Sequence, residues 1–328
     1  MFKNYDGLFE LQEPLGVGTV GTVYRARDTR SGQIVALKLL MPAVSHNPKI
    51  LARFEREMLI MSRLSHPNIV RYGEGGKLGG QLFYTMELLD AGTVKQVLQA
   101  GGRIPWPQCT RWAIQVCSAL QHAHNHGVIH RDLKPSNLFI NPRGEVVLGD
   151  FGIARDTLGV DFTADGITVG TYAYMSPEQI TADQRISGKA DLYSLGCVMY
   201  ELLTGRPPFT GQNFAQIWDQ HLKRQPAPIR EQVADCPVWL EQIALQLLEK
   251  DPELRPFNAR HVEGYLKQHY AEAVERGEAP AESAPLAPHV SMQSEPSAQG
   301  TDSVSWRALA ALLLVVVGVI CLEFFRGN

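Results

Sequence analysis

Residues 8–40 alternate apolar and polar positions and are interrupted by glycines, a pattern that predicts a strand, a tight turn and two further strands, with Ser31-Gly32 turning the last hairpin. Leu51, Phe54, Met58, Met61 and Leu64 then recur at helical spacing over 49–64. His66-Pro67-Asn68 ends that helix, because a proline continues a helix poorly. Strands are expected at 69–73 and 82–88, and the segment 83–92 passes from strand into turn. Residues 108–127 form a long helical pattern containing Trp112, Ile114, Val116, Leu120 and Ala123. The stretch 189–204 is apolar nearly all round, which marks a helix buried on every side, and further helical patterns occupy 213–222, 238–250 and 258–275.

At residue 277 the pattern stops. Residues 277–305 are rich in Ala, Pro and Ser and have no apolar periodicity, so they read as a disordered tether with an r.m.s. span of roughly 30 Å. Residues 308–322 are uninterrupted apolar, preceded by Trp306 and Arg307 and followed by Glu323 and Arg326. That run is shorter than the ~20 residues usually needed to span a bilayer, but Trp306, Phe324 and Phe325 extend it as interfacial residues. Its place after a tether predicts a transmembrane anchor over 306–325, with no extracellular sensor domain in this chain.

With 328 residues, 45% of them hydrophobic, the chain can bury the core of one two-lobed domain or of two domains. A formal net charge of -3 gives no electrostatic reason to expect nucleic acid as a partner. Cys109, Cys117, Cys197, Cys236 and Cys321 are scattered and form no C-x-x-C pair, which fits a reducing cytosol. The first ten residues lack the apolar region of a signal peptide.

The chemistry concentrates in residues 130–152, HRDLKPSNLFINPRGEVVLGDFG. A loop with His130, Arg131, Asp132, Lys134 and Asn137 leads into two short apolar strands and then Asp150, Phe151 and Gly152. Phosphoryl transfer from ATP needs such a set: one carboxylate to accept a hydroxyl proton, and a carboxylate with an amide oxygen to hold magnesium on the phosphates. Upstream, LGVGTVGTVYRA carries Leu15, Gly16, Gly18, Gly21 and Val23, and glycines let backbone amides approach phosphates. Such a loop also occurs in dinucleotide-binding folds, where it joins a strand to a helix; here a hairpin follows, whose second strand is Val35-Ala36-Leu37-Lys38.

Together these segments match the H-R-D-L-x-x-x-N, D-F-G and V-A-I-K signatures, and over about residues 8–269 the chain resembles the eukaryotic-like Ser/Thr protein kinase family, in its bacterial, membrane-anchored form. The resemblance implies an α+β, two-lobed kinase domain over 8–276. Its small β-rich N-lobe, with helix C, would cover about 8–88 and its larger α-helical C-lobe about 90–276, ahead of the C-terminal transmembrane helix. It implies that Asp132 is the catalytic base, that Lys134 neutralises the transferring phosphate, and that Asn137 and Asp150 hold Mg2+, or Mn2+ in its place. Lys38 would hold the triphosphate, with Glu57 as its ion-pair partner and Glu55 as the rival candidate. Leu15, Gly16, Gly18, Gly21, Val23 and Ala36 would line the ATP site, backbone groups of Glu87 to Leu89 would bind adenine, and Met86 would be the gatekeeper.

Residues 153–175 are long and aperiodic, as functional loops often are, and carry Thr157, Thr163, Thr168 and Thr171. Phosphorylation of Thr163 or Thr168 is expected to order the loop by pairing with Arg131. The family places Thr171 against Asp132 or Lys134 in the peptide site, Asp191 on the catalytic-loop backbone, and Arg255 against Glu178. Ser176 replaces the alanine of A-P-E, a departure expected to be harmless. His122, His124, His126 and His130 invite a metal-site reading, which is set aside because no acid or cysteine joins them and because the resemblance gives His124 and His130 to packing and to holding the loop backbone. The expected partners are ATP, protein substrates, the membrane and, transiently, a second copy for autophosphorylation in trans. The rival readings are an ATP-binding pseudokinase scaffold and a small-molecule phosphotransferase. The presence of Lys38, Asp132 and Asp150 argues against the first, and the loop with Glu178, Asp191 and Arg255 argues against the second.

Overall fold

The structure, a computed structural model, describes residues 4–18, 21–42, 54, 58–151, 169–183 and 186–281, and only the backbone of 169–171. Five antiparallel strands, β1 (Phe9–Gly18), β2 (Gly21–Asp28), β3 (Ile34–Leu40), β4 (Tyr72–Leu78) and β5 (Gln81–Glu87), form one sheet in the order β1-β2-β3-β5-β4. Alternation divides β3 between two cores. Ala36 and Leu40 face the main core, and Leu37 faces a smaller one with Tyr5, Phe9, Ala26 and Phe83. Lys38 shares the parity of Ala36 and Leu40, which turns it toward the larger lobe. The polar N-terminal stretch takes part in the fold: Tyr5 N–H donates to Lys77 O at 2.9 Å, and Gly79 N–H donates to Asp6 Oδ1 at 2.6 Å.

The strand expected at 69–73 starts later, at Tyr72, and runs on through Gly75 and Gly76 to Leu78. Ile69 and Val70 are apolar for another reason: they are buried beside a second, two-stranded sheet of β6 (Leu138–Ile140) and β7 (Val146–Leu148), where Val70 N–H donates to Leu148 O at 2.9 Å.

The larger lobe is helical: α1 (Val94–Gly101), α2 (Trp106–Asn125), α3 (Pro177–Ile180), α4 (Gly188–Thr204), α5 (Phe214–Lys223), α6 (Val238–Leu247) and α7 (Ala259–Glu275). Helix α1 had no place in the apolar pattern, although Thr93 and Gln96 cap it reciprocally, an S/T-x-x-Q signature. Helix α4 runs from its Ser187 cap to a left-handed Gly205 and is buried at 13 of its 17 positions, as its all-round apolar sequence requires. A Cβ on Gly196 would lie 2.8 Å from Leu247 Cβ, so this glycine sets how closely α4 and α6 pack.

The fold continues past α7 into residues that composition assigns to the tether. Glu278 N–H donates to Ala273 O at 2.9 Å, Ala279 is buried in the main core, and Tyr270 Oη donates to Pro280 O at 3.0 Å. Among the described residues no helix is long and apolar enough to cross a membrane. The expected anchor at 306–325 lies outside the described residues, as does the rest of the tether.

Candidate active site

Helix α2 ends at Asn125, and the chain crosses to β6 through a loop pinned by Asp191 in the first turn of α4. This aspartate is fully buried and accepts three hydrogen bonds, from His130 N–H, Arg131 N–H and His124 Nε2, each at 2.8 Å. Burial pushes its pKa up, but the bonds from His124 and the loop outweigh burial and hold it below the ordinary carboxylate value. An acid therefore does join the histidines, brought by the fold from a distant helix, and it organises the loop. Two of its bonds stabilise the backbone at Arg131, whose φ of 62° is disfavoured for a residue with a side chain.

His130 is buried, with its ring packed on Phe151 at a centroid separation of 4.6 Å. Nε2 lies 2.9 Å from Gly149 O and so carries the proton, while Nδ1 accepts Asp132 N–H at 3.2 Å. Burial lowers its pKa, in keeping with this neutral form.

The 3-10 turn Pro135–Asn137 folds the polar residues of the loop onto one another. Asp132 Oδ2 accepts from Lys134 Nζ at 2.9 Å and from Asn137 Nδ2 at 3.2 Å, and Asn137 Nδ2 also donates to Asp132 O at 2.8 Å. With its NH2 group used in this way, Asn137 turns its amide oxygen to other partners. Gly149 N–H donates to Asn137 O at 3.0 Å, which places Asp150 beside this cluster. A Cβ on Gly149 would come within 2.7 Å of the Phe139 ring, so a side chain there would have to displace that ring. Asp150 has a φ of 51° and its Oδ1 accepts from Lys38 Nζ at 2.6 Å. For both groups burial opposes the charge, yet each partner outweighs it: the pKa of Asp150 is net lowered and that of Lys38 net raised.

Lys38 is in register with Val23 on β2 and with Tyr84 on β5, and Ala36 with Met86. Leu15, Val23, Leu88 and Leu89 are partly buried against the same core, while Ala36 and Met86 are buried within it. Glu87 Oε1 accepts Arg71 N–H at 2.8 Å at the end of the sheet. A Cβ on Gly21 would lie 2.2 Å from Leu39 O, whereas one on Gly16 would meet nothing within 4 Å among the described residues and one on Gly18 only an ordinary contact. The three glycines thus differ: Gly21 is required by the sheet, whereas no close approach among the described residues requires Gly16 or Gly18.

Glu178 and Arg255 meet in a bidentate pair, at 2.7 and 2.9 Å, and Arg255 also donates to the carbonyls of Lys189, Glu249 and Lys250. Gln179 was not singled out from the sequence. Its Nε2 donates to Arg131 O at 2.9 Å and its Oε1 accepts from Ser176, a contact that the Ser-x-x-Gln spacing signals as a capping box. Glu57 and its rival Glu55, Gly152, Thr157, Thr163 and Thr168 lie outside the described residues, as does the side chain of Thr171.

The residues fit a divalent cation carried on phosphates. Asn137 and Asp150 supply two hard oxygen donors, and no group of three or more His, Cys, Asp or Glu among the described residues could hold a metal unaided. The remaining ligands would have to come from phosphate and water.

Residues 9–269 match the protein kinase domain family. The chain is 38% identical over 254 residues to the serine/threonine-protein kinase PknB of Mycobacterium leprae, covering 75% of this chain and 40% of that protein. It is 37% identical over 255 residues to the serine/threonine-protein kinase PknD of Mycobacterium tuberculosis, covering 77% and 38%. A probable serine/threonine-protein kinase of Streptomyces coelicolor is 36% identical over 259 residues, with 77% and 38% covered. The chain thus spans about two fifths of the length of these relatives.

Proposed function

The chain belongs to the protein kinase domain family, and from that premise we propose that it is a serine/threonine protein kinase, transferring the γ-phosphate of ATP to Ser and Thr hydroxyls of proteins. One observation carries this reading: Asp132 is held between Lys134 and Asn137, with the Lys38–Asp150 pair brought beside them through the Gly149 to Asn137 bond. Asp132 orients the substrate hydroxyl and accepts its proton. Lys134, on the same carboxylate oxygen, places positive charge where the phosphoryl group passes. Lys38 and the backbone of the glycine-bearing β1–β2 turn hold the triphosphate, and Leu15, Val23, Ala36 and the Glu87–Leu89 segment hold the base. Asn137 and Asp150 would bind magnesium, or manganese in its place, which supplies charge neutralisation on the phosphates.

The same proposal covers the membrane and the loop. Residues 306–325 would anchor the chain, with the kinase domain on the cytoplasmic side where ATP is available, and tethering would raise the effective concentration of one copy near another. This favours autophosphorylation in trans at Thr163 or Thr168, with Arg131 receiving the phosphate.

The test compares the full chain with its Asp132→Asn variant, incubated with labelled ATP and magnesium and analysed by phosphosite mass spectrometry. The expected result is transfer by the wild type and a fall of about 100-fold or more in the variant. ATP binding without transfer to itself or to generic protein substrates would replace the kinase reading with that of a nucleotide-binding scaffold.

A further inference from the structure

Arg131 O and Asp132 N–H belong to one planar peptide, so whatever holds that plane sets the direction from which the Asp132 side chain leaves the backbone. Its N–H end is held weakly, by the 3.2 Å bond to His130 Nδ1. The carbonyl end is held by Gln179 Nε2 at 2.9 Å, from a residue 48 positions further along the chain. The preceding peptide, on the other side of the left-handed Arg131, is held by Asp191.

The polarity of the Gln179 amide is itself imposed. Ser176 N–H and Ser176 Oγ both donate to Oε1, at 3.1 and 3.0 Å, so the oxygen faces Ser176 and the NH2 group faces Arg131. Ser176 is fully buried, and an alanine there would remove one of the two donors that fix this orientation.

We propose that Gln179, oriented by Ser176, is a positioning residue for phosphoryl transfer: it holds the Arg131–Asp132 peptide and through it the carboxylate of Asp132. The serine that departs from A-P-E is then half of a working pair. The proposal rests on the kinase reading above.

The test measures kcat, KM for ATP with magnesium, thermal stability and pH dependence in the full chain and in Gln179→Glu, Gln179→Met, Ser176→Ala and the Ser176→Ala/Gln179→Met double variant, with casein as acceptor. Both Gln179 variants should lose about tenfold in kcat, close to 1.4 kcal/mol, with KM for ATP within about twofold and the melting temperature within a few degrees. The Gln179→Glu deficit should narrow as pH falls, because a protonated carboxyl regains an O–H for Arg131 O, whereas the Gln179→Met deficit should not. Ser176→Ala should cost about threefold alone and nothing further in the double variant, since residues acting as one unit are not additive. Unchanged kcat in both Gln179 variants would overturn the proposal, as would additivity in the double variant. A loss of folding in both would also overturn it, by assigning Gln179 a structural role. A wild type that transfers no phosphate would bring down the kinase reading and this proposal with it, whereas an active wild type with equally active variants would bring down this proposal alone.

Discussion

Lys38 Nζ lies 2.6 Å from Asp150 Oδ1, an ion pair that joins the third strand of the sheet to the peptide following β7. Both side chains are largely enclosed, so removing either leaves a charge short of its partner.

Lys38→Ala is therefore expected to lower folding stability by about 1.5–3 kcal/mol without nucleotide, and a Lys38→Ala/Asp150→Ala double variant to recover part of that loss in urea titrations. The pair's pH window follows from the directions of its shifts. Asp150 titrates below 3.8 in the fold, so its contribution is complete above 3.8 and is lost as pH falls through the lowered value. Lys38 titrates above 10.5, so its contribution is complete below 10.5 and is lost as pH rises through the raised value. The stability difference between wild type and double variant should accordingly be flat between about pH 5 and 9.

The Arg255–Glu178 pair calls for a different experiment, because the Arg255 side chain has no exposure and that of Glu178 has 9%. Arg255→Met leaves the Glu178 carboxylate and three backbone carbonyls without their donor, and should cost about 3–5 kcal/mol. Glu178→Gln keeps one acceptor oxygen for the guanidinium and should cost less. Thermal melts of the two variants decide the ranking; equal losses would mean that the carbonyl contacts of Arg255 contribute little.

Much of this site was legible because the chemistry is local. Asp132, Lys134 and Asn137 lie within six residues, and a single 3-10 turn gathers them. The buried helix α4 announced itself by having no polar face. What the sequence concealed depends on distance: that Asp191 would meet His124, that Gln179 would reach Arg131, and that Ile69 and Val70 are apolar because β7 covers them. The start of the tether misled for a compositional reason, since Ala279 and Pro280 look like linker residues yet pack on the end of α7 and on Tyr270.

His221, one of several histidines whose pKa burial lowers, should carry a measurable share of the acid sensitivity. His221 is buried, its Nδ1 lies 2.8 Å from Tyr193 Oη, and burial, with the charge of Lys250 acting in the same direction, lowers its pKa to about 3. Phe209 packs on its ring and the Ala173 backbone faces it. A group that titrates lower in the fold than in the unfolded chain makes the unfolded state bind more protons, so it contributes stability that is lost as pH falls below 6.5. His221→Gln should flatten the slope of stability against pH by up to about 1.4 kcal/mol per pH unit between roughly pH 3 and 6.5, read from urea titrations across that range. Because the readout is a slope, any constant cost of the substitution does not obscure it.

The glycines of the β1–β2 turn should separate into two kinds. At Gly21 an added Cβ would meet the Leu39 carbonyl at 2.2 Å and Leu40 Cα at 2.9 Å, both backbone atoms that cannot move without opening the β2–β3 pairing. Gly21→Ala is thus expected to cost about 1–3 kcal/mol of folding stability with or without nucleotide. A Cβ at Gly16 meets nothing within 4 Å among the described residues. Gly16→Ala should leave the melting temperature of the free chain essentially unchanged, or raise it slightly by restricting the unfolded state. Its cost should appear only when ATP binds, as a higher KM for ATP and a smaller rise in melting temperature on adding ATP with magnesium. If Gly16→Ala destabilised the free chain as much as Gly21→Ala, the glycine at 16 would belong to the architecture of the sheet and not to a phosphate-binding role.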